Sequence, residues 1–358
     1  MKFREIVTEA SRNVASGTAR TALLASLLSG FAVVAVLADS TTLLSLEQAA
    51  SDYHLSGGAV SVLAAEDAIL GPQCDAAAAN TRDIRSGALR AADSDIIASR
   101  LPSSSIPTFD VTQGFITLIL DSDEVPPGGG VLVSTAVATA LGIAKGDSLE
   151  TDQGTTTIAA TFDYPDDGRR RGLGYAILVP APPGMLFDEC WASAWPQNSR
   201  LDSLLRTSLV ISNISHDAPP TVEQLNQTLG AEFNGPLLFN GRNTRFLFAL
   251  SGIASLALAF AVTRLRRVEF ASNLHAGASH TDLAGIATME SLGWLIPVWI
   301  FASAPTAGAL REAVDTAALL QISWQAPLAV SIGGLLGTLV AVSVSTERRL
   351  FNDFKRRQ

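Results

Sequence analysis

"RRVEFASNLHAGASH", residues 266–280, opens with two arginines, carries Gly277, ends in Ser279 and His280, and lies between two uncharged apolar stretches. Within it Phe270, Ala271, Leu274 and Ala278 recur at i, i+1, i+4 and i+8, which makes one narrow apolar face on a short helix. Gly277 stands where such a helix stops. Ser279 with Asp282 has the [ST]-x-x-[DE] form of a new helix start. The chain is therefore expected to leave one apolar helix, build a short polar one, turn sharply at Ala276–Ser279 and enter another. A segment that only connects needs neither a helix nor an apolar face, so Phe270, Leu274 and His275 are expected to meet a partner.

The flanking stretches set the fold class. Residues 21–38, 246–263, 291–310 and a core at 327–344 carry no charged side chain. Each is close to the roughly 20 residues a helix needs to cross a bilayer. One such run fits a buried core helix; four of them, flanked by arginines and acids, read as membrane helices. The mean hydropathy of +0.29 agrees. The expected architecture is a membrane protein with four transmembrane α-helices and an α+β extracytoplasmic domain inserted between helices 1 and 2. The expected division is an amphipathic entry helix at 1–17, transmembrane helices at 18–38, 245–265, 283–304 and 326–346, an outside domain at 39–243, a cytoplasmic coupling helix and turn at 266–282, an outside loop at 305–325 and a cytoplasmic tail at 347–358.

Orientation follows from the basic residues. Lys2, Arg4, Arg12 and Arg20 precede the first helix; Arg264, Arg266 and Arg267 follow the second; Arg348, Arg349, Lys355, Arg356 and Arg357 follow the fourth. Alternating helices put all three groups on one side, which the positive-inside rule makes the cytoplasm of a bacterial plasma membrane. Both termini are then inside. Residues 39–243 hold 25 acids against 11 bases, so the chain's net charge of −9 combines an acidic outside domain with a basic remainder. The run "AVLADS" offers a signal-peptide cleavage pattern, but the apolar stretch exceeds a signal-peptide core and follows a long leading helix, so a retained first helix is expected.

Small residues four apart mark helix packing: Ser26 and Gly30 in the first helix, Gly333 and Gly337 in the fourth. They suit contacts within the chain or with a second copy. Asp282 and Glu290 near the start of the third helix are read as carboxylates favoured by the helix dipole.

In the outside domain, residues 128–168 read as a small module. A strand at 131–133 leads to Ser134 as helix cap, a helix at 136–141 and a stop at Gly142. A turn at 145–147 and a hairpin of 148–151 with 155–162 follow, then a strand at 175–179. Cys74 and Cys190 are the two cysteines of the chain, and both fall in this domain. Outside the cytoplasm they are expected to form a disulfide, worth roughly 3 to 5 kcal/mol in the chain-entropy model.

Catalytic patterns are not found. No Walker A sequence is present, and His54, His216, His275 and His280 have no metal-ligand spacing. No catalytic residue, cofactor, metal or nucleic-acid contact is expected of this chain. Arg169–Arg171 beside Asp166 and Asp167 reads as a solvated loop.

The segment with Arg266, Arg267, Glu269, Leu274, Ala276, Gly277, Ala278 and Ser279 resembles the R-R-x-E-x-x-x-L-x-A-x-G-A-S signature of FtsX/MacB-type ABC transporter permeases. The start of the chain resembles that family's amphipathic entry helix running into its first membrane helix. Residues 131–162 resemble part of its outside module. Asn273 and Phe270 depart from the family, which has a basic residue and a Leu or Ile there. The resemblance implies a subunit that works as a homo- or heterodimer. It binds cytoplasmic ABC ATPase subunits, which hold ATP and Mg, and transmits their motion outward to a possible extracytoplasmic cargo or effector, with membrane lipids as its surroundings. It places ATPase coupling on Phe270, Leu274, His275, Gly277, Ala278 and Ser279 and on the entry helix. Two functions compete: export or extraction of a peptide, lipid-linked or drug-like molecule, and signalling control of a cell-wall enzyme or sensor partner. A membrane-anchored adhesion or scaffold protein is the reading without an ATPase.

Overall fold

The computed structural model describes residues 2–78, 84–122, 126, 129–182, 184–198 and 200–346. The tail at 347–358, with its five basic residues, lies outside the described residues. In chain order the elements are α1 (Phe3–Ala15), α2 (Thr21–Leu55), β1 (Val60–Leu70), α3 (Gly71–Ala76), β2 (Ile84–Ala91), β3 (Ile96–Ile97), β4 (Ser105–Ile106), β5 (Thr108–Val111) and α4 (Gln113–Ile119). Then come β6 (Val131–Ser134), α5 (Thr135–Leu141), β7 (Ser148–Thr151), β8 (Gly154–Phe162), β9 (Ile177–Pro180), β10 (Leu186–Ala194), α6 (Leu201–Leu205) and β11 (Thr221–Gln224). The chain ends through α7 (Gly235–Gly241), α8 (Leu247–Arg264), α9 (Arg267–His275), α10 (His280–Ala309) and α11 (Thr316–Ser343). These elements form two compact units, residues 50–233 and residues 1–49 with 234–358.

The unit of residues 50–233 is built on a nine-stranded sheet in the order β11-β1-β10-β2-β5-β9-β6-β8-β7. The β5/β9 and β6/β8 pairs are parallel and the other pairs antiparallel. The α+β expectation holds here, and the module read between 131 and 179 is present nearly residue for residue. The hydroxyl of Ser134 accepts from Val137 N, α5 runs to Leu141, and Gly142 stops it in the left-handed region. The β7–β8 hairpin follows. Val133, Val137, Leu141 and Ile158 share one apolar cluster. A second gathers round Phe115 and Trp191, whose rings meet edge-on at 5.2 Å. A third surrounds Cys74 and Cys190. Those two cysteines are bonded, 5.8 Å apart at Cα, which ties α3 to β10.

The second unit is helical. Four of its helices are long and apolar enough to cross a membrane, and a mixed α/β domain follows the first of them. Their side chains are sorted accordingly. Val34, Leu250, Ile253, Ile296, Ile300, Phe301 and Ile332 face outward, each at least half exposed. Ser251, Ser255, Ser291, Ser331 and Thr338 are buried. Large apolar groups outside and small or hydroxyl groups inside suit a bundle in lipid, where close backbone approach and polar contacts hold helices together.

Two boundaries differ from the sequence expectation. The first long helix does not end at residue 38: α2 continues to Leu55. Asp39 and Ser40 end the apolar run, but Asp39 is buried and accepts from Arg242 Nε (2.8 Å) and Thr244 Oγ1 (2.6 Å), so the helix carries it without a break. The outside loop expected at 305–325 shrinks to six residues between α10 and α11. Pro305 and Pro327 lie inside those helices. Proline is tolerated within apolar helices when neighbours meet the freed backbone groups.

Candidate functional site

The bend between α8 and α10 is folded as its sequence suggests and held in a way it does not. Gly277 takes φ +92°, a turn that side-chain-bearing residues rarely adopt. The Ser279 hydroxyl accepts from Asp282 N (3.1 Å), while Ser279 N donates to the Asp282 carboxylate (3.0 Å). This reciprocal cap starts α10, as expected.

Behind the bend lies a charged network. Arg266, at the α8–α9 junction, is buried with its side chain only 8% exposed. It donates from Nη1 and Nη2 to both oxygens of Glu290 and from Nε (2.9 Å) and Nη2 (2.6 Å) to Glu269. Its guanidinium also sits 5.1 Å from the centre of the Phe270 ring. Glu290 is 7% exposed in its side chain and accepts a further bond from Asn13 Nδ2 of α1 (2.7 Å). One carboxylate thus joins the entry helix, the bend and α10. Burial works against the arginine's charge, but the hydrogen bonds it donates to Glu269 and Glu290 outweigh it and raise the Arg266 pKa. Helix α1 lies along the start of α10, with Ile6 over Gly285 and Val14 near Gly293.

The reading of Glu290 as a carboxylate near the helix start, favoured by the dipole, is corrected by this. It sits in the third turn of α10, buried, as the counter-ion of Arg266. The reading of Phe270 and Leu274 as anchors shown to a partner is corrected as well. They are 2% and 7% exposed and pack with Leu283, Ala287 and Val342 of α10 and α11. The narrow apolar face is satisfied within the chain, because the tight turn folds α9 back onto the two helices beside it. His275, Gly277 and Ser279 remain exposed, and Ala278 is partly so. The outward face of the bend is therefore polar.

The packing residues separate in the same way. A Cβ on Gly333 would lie 2.1 Å from Gly252 O, and one on Gly337 2.2 Å from Leu256 O. The Ser255 hydroxyl donates to Val330 O (2.7 Å). These glycines serve the α8–α11 contact of a single chain. Gly30 has nothing within 4 Å of its Cβ position, and with Ser26, Phe31, Val34, Leu247 and Leu250 it lines an open apolar groove between α2 and α8.

Two further contacts escaped the sequence. Glu47 of α2 accepts from Val314 N (3.0 Å) and Asp315 N (2.9 Å), holding the α10–α11 connection. The Asp39–Arg242 pair holds the approach to α8. In the other unit, the Arg169–Arg171 loop is paired: Arg169 with Asp167, Arg170 with Glu189 and Arg171 with Asp166.

No family model matches the sequence, and no curated protein matches it. Among solved structures, the periplasmic region of MacB from Actinobacillus actinomycetemcomitans is similar to part of the chain, with 7% identity over 47% of this chain and 89% of that one and a TM-score of 0.34. A likeness of that size carries no argument about this chain.

Proposed function

We propose that this chain is the permease subunit of an ABC-type assembly, in which separate cytoplasmic ATPase subunits drive motion that the helices transmit to the domain at 50–233. The observation that supports it best is the bend. Its signature-like residues fold into a capped turn whose buried side is locked by Arg266 and Glu290 and whose outward side, His275 to Ser279, is polar and exposed. A rigid polar knuckle on a membrane bundle suits a water-soluble partner. In this reading the basic flanks face the cytoplasm, and a load applied at the bend reaches α1 and α10 through Glu290. At the other end of the bundle it reaches the α8 approach and the α10–α11 connection through Asp39 and Glu47.

The test is purification of the full chain from its native membrane in mild detergent, with mass spectrometry of what accompanies it. The expected result is a protein with Walker motifs at fixed stoichiometry. Recovery of the chain with no nucleotide-binding partner, in several detergents, counts against the reading. A co-purifying cell-wall hydrolase or sensor kinase beside the ATPase selects regulation over transport.

A further inference from the structure

A half-open pocket of about 20 Å³ lies beside the Arg266–Glu290 pair, lined by Thr21, Thr263, Arg266, Glu290, Ser291 and Thr338. One water needs roughly 10–15 Å³ measured in this way, together with two to four polar partners. The partners are present. Thr21, Thr263 and Thr338 are 8%, 7% and 5% exposed. Helical hydroxyls nearby are satisfied by their own backbones: Thr288 donates to Ala284 O, Ser291 to Ala287 O and Ser331 to Pro327 O. The hydroxyls of Thr21, Thr263 and Thr338 make no hydrogen bond to any described residue.

The ion pair has matching vacancies in its bonding. A carboxylate has about four acceptor sites and a guanidinium five N–H donors. Glu290 Oε1 accepts from Asn13 and Arg266, and Oε2 accepts from Arg266 alone, which leaves one site. Arg266 places four N–H bonds on Glu269 and Glu290, which leaves one donor. Buried polar groups as a rule have partners, and a water-sized polar cavity is where such partners are found.

We infer that this pocket is a water site, and that the bound water bonds the buried ion pair to the threonine hydroxyls of the helices around it. The water donates to Glu290 and accepts from a threonine, so it links α8 and α11 to the pair without a direct contact. A joint of this kind can shift by a fraction of an ångström and keep both ions solvated. The site stands independently of the permease reading.

The sign of one substitution tests it. Thr338→Val keeps the shape and removes the hydroxyl. If the hydroxyl holds a water on the ion pair, the apparent unfolding temperature of the full chain in detergent falls by about 2–4 °C. The fall disappears when the same change is made in an Arg266→Met, Glu290→Met background, where the ion pair that lines the pocket is gone. If the hydroxyl faces a dry cavity, removing an unpaired polar group leaves the temperature unchanged or raises it, and the inference is overturned. An equal fall in both backgrounds also overturns it. Should the double-methionine chain fail to fold, a cryo-EM map that resolves other ordered waters decides: density within hydrogen-bond distance of Glu290 supports the site, and a blank cavity rejects it.

Discussion

Arg266 and Glu290 form a buried ion pair across 24 residues of sequence, on either side of the polar bend, with their side chains 8% and 7% exposed. Removing Arg266 strands Glu290 in an apolar surrounding, and removing Glu290 leaves the buried Arg266 with Glu269 alone; breaking a buried pair typically costs about 3–5 kcal/mol, whereas exchanging both ions for apolar groups is often neutral. Arg266→Met and Glu290→Met alone are therefore expected to destabilise the bundle strongly, and the double variant to recover much of the loss. Thermal unfolding of the four proteins in one detergent checks this. Additive losses would show that the two residues act separately.

The glycines of α11 and α2 are expected to behave in opposite ways. Gly337→Ala drives a methyl against Leu256 O, and α8 must move; overpacking of this kind costs about 1–3 kcal/mol. Gly30→Ala meets nothing within 4 Å and should leave stability unchanged. Comparing their unfolding temperatures decides it. Equal effects would mean that α8 and α11 do not pack through bare backbone.

The Cys74–Cys190 bond closes a separation of 116 residues. Replacing both cysteines with serine should cost roughly 3–5 kcal/mol of the stability of the domain at 50–233. Proteolysis of the domain, with and without reductant, reads this out. Resistance that is the same in the wild type, the reduced protein and the double variant would show that the bond adds little.

Two aspartates of the domain at 50–233 carry opposite pH signatures. Burial pushes the Asp75 carboxyl up, against hydrogen bonds from Thr112 and Gly114 N. The folded state therefore holds its proton to higher pH than the unfolded chain. Its contribution is fully present below the unfolded value near 3.8 and is lost as pH rises through the raised one. Asp167 is held below the usual range by the Arg169 hydrogen bonds, so its contribution is present above 3.8 and lost as pH falls. Wild type minus Asp75→Asn should thus shrink in stability as pH rises above about 4, and wild type minus Asp167→Asn should shrink as pH falls below it. Slopes of the same sign would reject one assignment.

Local patterns were legible where a residue acts on its own neighbours. Ser134, Gly142, Gly277 and the Ser279–Asp282 cap each specify a turn within four residues, and the sequence reading of them stands. Long-range partners were not legible. The apolar spacing of Phe270 and Leu274 shows that a face is buried but not by what, and the answer was Leu283 and Val342 rather than another protein. Glu290 looked like a terminal carboxylate because its partners lie 24 and 277 residues away. Asp39 looked like the end of a helix because Arg242 and Thr244, which satisfy it, are 203 and 205 residues distant.

If the exposed side of the bend seats an ATPase, a photo-crosslinking residue placed at His275 in the full chain, in native membranes, will capture it. His275 is exposed, while Leu274 beside it is buried. The expected result is a crosslink from position 275 to a nucleotide-binding protein, changed in yield by ATP, and only crosslinks within the chain from position 274. Crosslinks from position 275 to lipid or to nothing, with and without ATP, would contradict the account.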